Sequence, residues 1–285
     1  MEIRLSAFAD EAACAYAAQL EVLRQERIPY IELRGLDGKS IADLSEEEAK
    51  RYAEQTQEAG IKVWSIGSPL GKIWIGDDFD AHLKKAEHVF RLAGIFGTEK
   101  VRVFSFYTKT PEADREEVMR RMGEMVRLAE KYGVVLYHEN EKEIYGDTAA
   151  RCADLLKCNR GLNSVFDPAN YVQCGEKISD ALHLLRKETG YYHIKDALYA
   201  DGEVVPAGKG DGCLLEVLEG ITEDTVLTLE PHLAVFEGYS HLERTERKMK
   251  YEYQSSREAF AEAAEALRVL LRKCSFREED GVWKK

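Results

Sequence analysis

The chain has 285 residues, 45% of them hydrophobic, and a formal net charge of −12 at pH 7. That is apolar material enough for one large core, so residues 1–285 are expected to form a single α/β domain. The acidic balance argues against nucleic acid and anionic membrane as partners.

No apolar run approaches the ~18 residues of a membrane span, and the opening MEIRLSAFADE lacks the basic stretch and apolar run of a secretory leader. The expectation is a cytoplasmic protein. The most basic segment, ERTERKMK (243–250), is diluted by its own glutamates. The six cysteines (Cys14, Cys152, Cys158, Cys174, Cys213 and Cys274) include no C-x-x-C pair, so free thiols are expected rather than a zinc knuckle or redox motif.

Along the chain, strand-like runs recur at nearly even intervals. They are IRLSAF (3–8), YIELR (30–34), KVWSIG (62–67), KVRVFSF (100–106), VVLYHE (134–139), NSVFD (163–167), YYHIK (191–195) and TVLTLE (225–230). Helical segments lie between them. Ser45 with Glu48 forms a capping box before one helix, and Pro111 opens another with acidic residues in its first turn. Helical apolar spacing marks DAHLKKAEHVFRLAG (80–94) and SREAFAEAAEALRVLLRK (256–273). Gly60, Gly97, Gly133, Gly161, Gly190 and Gly220 are expected to close helices in the left-handed conformation. Asp147 is expected to cap the helix that follows it.

Eight strand–loop–helix units imply parallel strands with crossover helices, and that number fits a closed (β/α)8 TIM barrel better than an open sheet. In such a barrel, chemistry sits at the C-terminal ends of the strands. Strands five to eight end in YHEN, FDPAN, HIKD and LEPH, which place Glu139, Asp167, His193 and Glu230 at one height. Three crowded carboxylates repel one another, and a divalent cation resolves the conflict. Three carboxylates and an imidazole suit Mn²⁺, Mg²⁺, Co²⁺ or Zn²⁺. Glu32 and Arg34 are candidates for an ion pair at the mouth of strand two. The loop PAGKGDG (206–212) is read either as a phosphate cradle or as a tight turn with Asp211 as a cap. The long connection 232–254 is expected to be a lid or an interface, which leaves a homo-oligomer open.

The set HEN (138–140), FDPAN (166–170), HIKD (193–196) with PAGKGDG, and LEPH (229–232) resembles the xylose isomerase-like TIM barrel superfamily, which joins sugar phosphate isomerases and epimerases to AP endonuclease family 2. The match runs over nearly the whole chain, about residues 2–272. The resemblance implies one divalent metal ion, Mn²⁺ first, held by Glu139, Asp167, His193 and Glu230. It makes Glu139 and Glu230 the catalytic acid and base. Lys195, His232, Arg34, Trp64, His138 and Asn170 are the candidate substrate-binding residues. Free-ketose 3-epimerases of the group carry Arg six places after the strand-seven His; here Tyr199 stands there. HIKD with Lys195 looks more like the inosose dehydratase and general sugar isomerase branches.

The reading is therefore a divalent-metal-dependent isomerase or epimerase of a sugar or sugar phosphate, working through an enediolate. The alternatives are a dehydratase of an inosose-like hydroxyketone on the same site and a non-catalytic sugar-binding barrel. An endonuclease IV-like enzyme needs several more His ligands than a chain with seven His provides.

Overall fold

The computed structural model describes residues 1–234, 251–279 and 281–285. Eight parallel strands follow the sequence expectation closely: β1 (Glu2–Ala7), β2 (Tyr30–Leu33), β3 (Lys62–Gly67), β4 (Lys100–Val103), β5 (Val135–Glu139), β6 (Asn163–Phe166), β7 (Thr189–Ile194) and β8 (Thr225–Leu229). Each pairs in parallel with the next from β2 through β8, and β8 pairs with β1. β1 packs beside β2, which closes the TIM barrel by contact.

On its other edge β1 pairs antiparallel with β10 (Val282–Lys284), which pairs with β9 (Arg277–Glu279). The sequence reading missed this hairpin. Its strands are three residues long and mostly charged, so they carry no period-2 signal beyond the buried Trp283.

The helical layer also follows local chemistry. Ser45 and Glu48 make the reciprocal capping box, with Ser45 N donating to Glu48 Oε2 at 2.7 Å and Glu48 N to Ser45 Oγ at 3.2 Å. Pro111 opens the helix Pro111–Lys131. The cap before Ala149–Cys158 is Thr148, whose side chain accepts from Arg151 N; Asp147 pairs with the Arg151 guanidinium instead. Gly60, Gly97, Gly133 and Gly161 take positive φ, as expected, whereas Gly220 ends its helix in the right-handed conformation (φ −78°). Gly190 instead lies inside β7, where a Cβ would come within 2.4 Å of the Tyr137 ring, so that glycine serves strand packing.

Strand pleat decides what reaches the barrel axis. On β5, Leu136 joins the core beneath the helices, whereas Tyr137 packs inward with Val165, Tyr191 and Val226. One residue further the alternation repeats: His138 turns outward and Glu139 inward. Tyr137 and Trp64 pack edge-on against Tyr191, with ring centroids 5.4 and 5.8 Å away, and plug the barrel below the mouth. Among the described residues no helix is long and apolar enough to cross a membrane. Of the segment 232–254, residues 235–250 lie outside the described residues.

Candidate metal centre

Four neighbouring strands deliver the four residues singled out by the sequence to one buried point. One ligand atom each from Glu139, Asp167, His193 and Glu230 lies within 4.8 Å of the others. All four residues are at most 3% exposed. His193 Nδ1 is 3.2 Å from Glu139 Oε1 and 3.4 Å from Glu230 Oε2. Each glutamate therefore turns one oxygen towards His193 and gives the other to an arginine. Arg102 Nη1 donates to Glu139 Oε2 at 2.6 Å, and Arg34 Nη1 to Glu230 Oε1 at 3.0 Å. Lys195 Nζ stands 2.9 Å from Asp167 Oδ2 and 3.2 Å from Glu230 Oε2.

The outer partners fix these groups. Asn140 and Asp167 exchange two hydrogen bonds of 3.0 Å through the Asn140 amide, locking the end of β5 to the end of β6. Asn170 donates its amide to the Asn140 carbonyl at 2.8 Å and to Glu139 Oε1 at 3.3 Å, so it orients a cluster carboxylate. His232 sits 3.3 Å from Glu11 and 3.5 Å from Glu230 through Nε2, in a left-handed backbone conformation (φ 46°).

Two residues that the sequence reading did not assign to the cluster, Glu32 and Arg102, border it. Glu32 Oε2 lies 3.3 Å from His193 Nε2, and its Oε1 accepts from the Tyr191 hydroxyl at 2.9 Å. The expected Glu32–Arg34 pair is not made, because Glu32 belongs to the His193 layer while Arg34 bonds Asp10, Glu11 and Glu230 above it. The signal for Glu32 was a buried carboxylate inside the apolar strand β2, two residues before Arg34. Arg102, midway along KVRVF, was legible for the same reason: a buried arginine in an apolar strand needs a carboxylate.

Two expected substrate contacts fall elsewhere. His138 faces the helical layer: its Nε2 pairs with Ser105 Oγ at 2.9 Å, and its ring abuts Gly146, where a Cβ would come within 2.4 Å. Burial pushes it down to about 4, so it is neutral. Trp64 lies in the aromatic plug near the strand starts, beside Tyr30, Lys62 and Lys100. The PAGKGDG loop is not a phosphate cradle either. Asp196 fills it, accepting from the N–H groups of Ala197, Gly208, Gly210 and Gly212 at 2.8–3.0 Å. A Cβ on Gly210 or Gly212 would come within 2.4 or 2.7 Å of that carboxylate. Asp211 accepts from Tyr199 N rather than capping a helix.

Six buried carboxylates (Asp10, Glu11, Glu32, Glu139, Asp167 and Glu230) face three permanent cations (Arg34, Arg102 and Lys195), and against burial the carboxylates of Glu139 and Glu32 hold His193 protonated as a fourth. Burial opposes ionisation of Glu139, yet His193 and Arg102 outweigh it and hold the group down at about 2. For Glu230, Lys195 and His232 overcome burial in the same way, well below the usual range. Burial wins at Asp167, pushed up to about 7 against Lys195, and at Glu11, pushed up to about 8 against Arg34. The carboxylates of Glu139, Asp167 and Glu230 with the converging imidazole are a donor set that could hold a divalent cation.

The family model described as xylose isomerase-like TIM barrel matches residues 28–274. The chain belongs to the xylose isomerase-like TIM barrel family. No curated protein matches this family member by sequence. Solved structures with the xylose isomerase-like barrel match it over nearly their full lengths. An IOLI protein with a binding zinc atom has a TM-score of 0.72 at 18% identity, with 96% of this chain and 99% of that one covered. An L-ribulose 3-epimerase scores 0.71 at 17% identity, covering 96% and 95%. The probable 3-DHS dehydratase AsbF, involved in petrobactin synthesis in Bacillus anthracis, scores 0.69 at 16% identity, covering 94% and 99%. At such identities the likeness establishes the xylose isomerase-like fold.

Glu32→Gln keeps an acceptor for the Tyr191 hydroxyl but removes the charge behind the far nitrogen of His193, so it is expected to leave the fold intact and weaken divalent-metal affinity by about tenfold or more. Titration of the metal-free protein with Mn²⁺, followed by calorimetry, checks it.

Proposed function

We propose that the chain is a divalent-metal-dependent isomerase or epimerase acting on a sugar or sugar phosphate, with the metal held by Glu139, Asp167, His193 and Glu230. The observation that carries this reading is the buried convergence of those four groups, three carboxylates and one imidazole. Mn²⁺ is the first candidate, with Mg²⁺, Co²⁺ and Zn²⁺ compatible with the same donors. A bound divalent cation would polarise a substrate carbonyl and steady the negative charge of an enediolate.

The chain's own groups supply the proton chemistry. Glu139 and Glu230 are both held ionised at neutral pH, the state from which a general base begins. They stand at the ends of β5 and β8, so one removes the proton beside the carbonyl, and the other, once it has taken up a proton from solvent, delivers that proton to carbon. Return to the opposite face of the same carbon gives the epimer; return to the adjacent carbon gives the aldose–ketose isomer. Arg102 and Arg34 keep the carboxylates aimed.

A dehydratase is the second reading, favoured by Lys195. Its ammonium, buried between Asp167 and Glu230 and held protonated by them, is a positive charge placed beside the cluster to steady a departing β-hydroxyl. Incubation with Mn²⁺ and a panel of ketoses in deuterated water separates the outcomes. Solvent deuterium in a retained C–H supports isomerase or epimerase, loss of water supports the lyase, and neither across the panel counts against both.

Metal binding should also depend on pH in a defined direction. Asp167 titrates near 7 in the metal-free fold, against an ordinary 3.8. Its stabilising contribution is therefore complete below about pH 4 and lost as pH rises through 7. A divalent cation needs the ionised form and displaces that proton. The rise in melting temperature on replacing EDTA by Mn²⁺ is expected to be small at pH 6 and to grow through pH 8. A flat profile would contradict the assignment of Asp167.

A further inference from the structure

Beside the cluster lies a cavity whose charge is opposite to that of the chain. It measures 390 Å³ and sits over the ends of β2, β3 and β4. Arg34 and Arg102 form part of its wall, with Lys39, Lys72 and Lys85 also lining it against only Asp10 and Asp43. Those two acids are already engaged, Asp10 by Arg34 and Asp43 by Lys85. Each of these cations also meets a carboxylate, Lys39 that of Glu48, Lys72 that of Glu141, Lys85 that of Asp43 and the two arginines those of the cluster, yet the lining itself presents five cations and two acids in a chain of charge −12.

Arg102 is the telling group. It is 4% exposed, places Nη1 on Glu139, and leaves its buried Nε without a hydrogen-bond partner among the described residues. Leaving a buried guanidinium donor unpaired is costly unless a ligand completes it. Lys72 is the second group: its side chain is 13% exposed and its ammonium lies 3.2 Å from Glu141. The Phe104 ring braces both cations, with Lys72 Nζ 4.4 Å and Arg102 Cζ 4.7 Å from its centroid. Arg102 thus touches a cluster glutamate on one side and a cationic hollow on the other.

We propose that the substrate carries an oxyanion, a carboxylate or phosphate, away from its metal-chelating oxygens, and that Arg102 and Lys72 receive it in this cavity. The proposal rests on the metal-centred reading above and narrows its substrate class. Arg102 supplies a planar fork matched to two oxygens of an anion, and Lys72 a point charge. A neutral ketose would leave both cations without that partner, which is the kind of mismatch a polar site rejects strongly.

The test uses the Mn²⁺-loaded protein and three chelating probes: glycolohydroxamate, phosphoglycolohydroxamate and malonic acid monohydroxamate. Calorimetry is expected to show one or both anionic probes binding at least about tenfold tighter than the neutral one, and the comparison tells phosphate from carboxylate. Lys72→Met is expected to remove most of that preference while the neutral probe changes by less than about twofold, and Lys72→Arg to retain it. Metal-dependent binding of all three probes at equal affinity overturns the oxyanion site alone. An equal loss for all three probes in Lys72→Met, with the preference kept, overturns the role of Lys72. Absence of metal-dependent binding for every probe removes the metal-centred reading and this proposal with it.

Discussion

Replacing Glu230 by glutamine is expected to leave the barrel folded and to slow proton exchange on a bound hydroxyketone by about a thousandfold. The amide keeps the shape of the carboxylate but neither takes up a proton nor carries the charge. Folding survives because the neighbouring cations keep other partners: Arg34 retains Asp10 and Glu11, and Lys195 retains Asp167. The variant's melting temperature in EDTA should therefore stay close to that of the parent, while deuterium incorporation, followed by NMR, nearly disappears. Exchange at the parental rate would remove Glu230 from the proton path.

The largest effect on stability is expected at Asp196, which touches no reacting atom. Its carboxylate accepts from four backbone N–H groups and is 1% exposed. Asp196→Ala would strand those donors in a space where glycines leave no side chain to replace the oxygens. The expected loss is roughly 4 kcal/mol, the sum of several unsatisfied buried donors. Urea unfolding measures it, and Asp196→Asn, which keeps one acceptor oxygen, should recover part of it. An alanine variant as stable as the parent would show that the loop holds itself without the carboxylate.

These two residues mark different kinds of legibility. Glu230 stands at the end of an apolar strand, in the same relative place as Glu139, Asp167 and His193 on the neighbouring strands. Repetition of position makes that set visible in the sequence. Asp196 belongs to the same HIKD motif, yet its role depends on a loop ten and more residues away folding back over it, which no local pattern specifies.

The misplacements have equally particular causes. His138 was grouped with Glu139 because it adjoins it in sequence, whereas the pleat of β5 sends neighbours to opposite faces. Trp64 was grouped with the substrate-binding residues, but its place early in β3 leaves it among the plug residues. Glu32 and Arg34 share one face of one strand, and proximity alone suggested that they pair. The barrel instead offers Arg34 three carboxylates and offers Glu32 the back of His193.

The sequence by itself determined the eight-fold strand–helix rhythm, the strand ends and the four groups that converge there, because period, capping and pleat are local properties of a chain. Tertiary structure alone decided which cation meets which carboxylate, where the glycine-rich loop finds its anchor, and that a positive hollow adjoins an acidic cluster. Those depend on distances between strands far apart in sequence, and electrostatic energy is set by such distances and by burial.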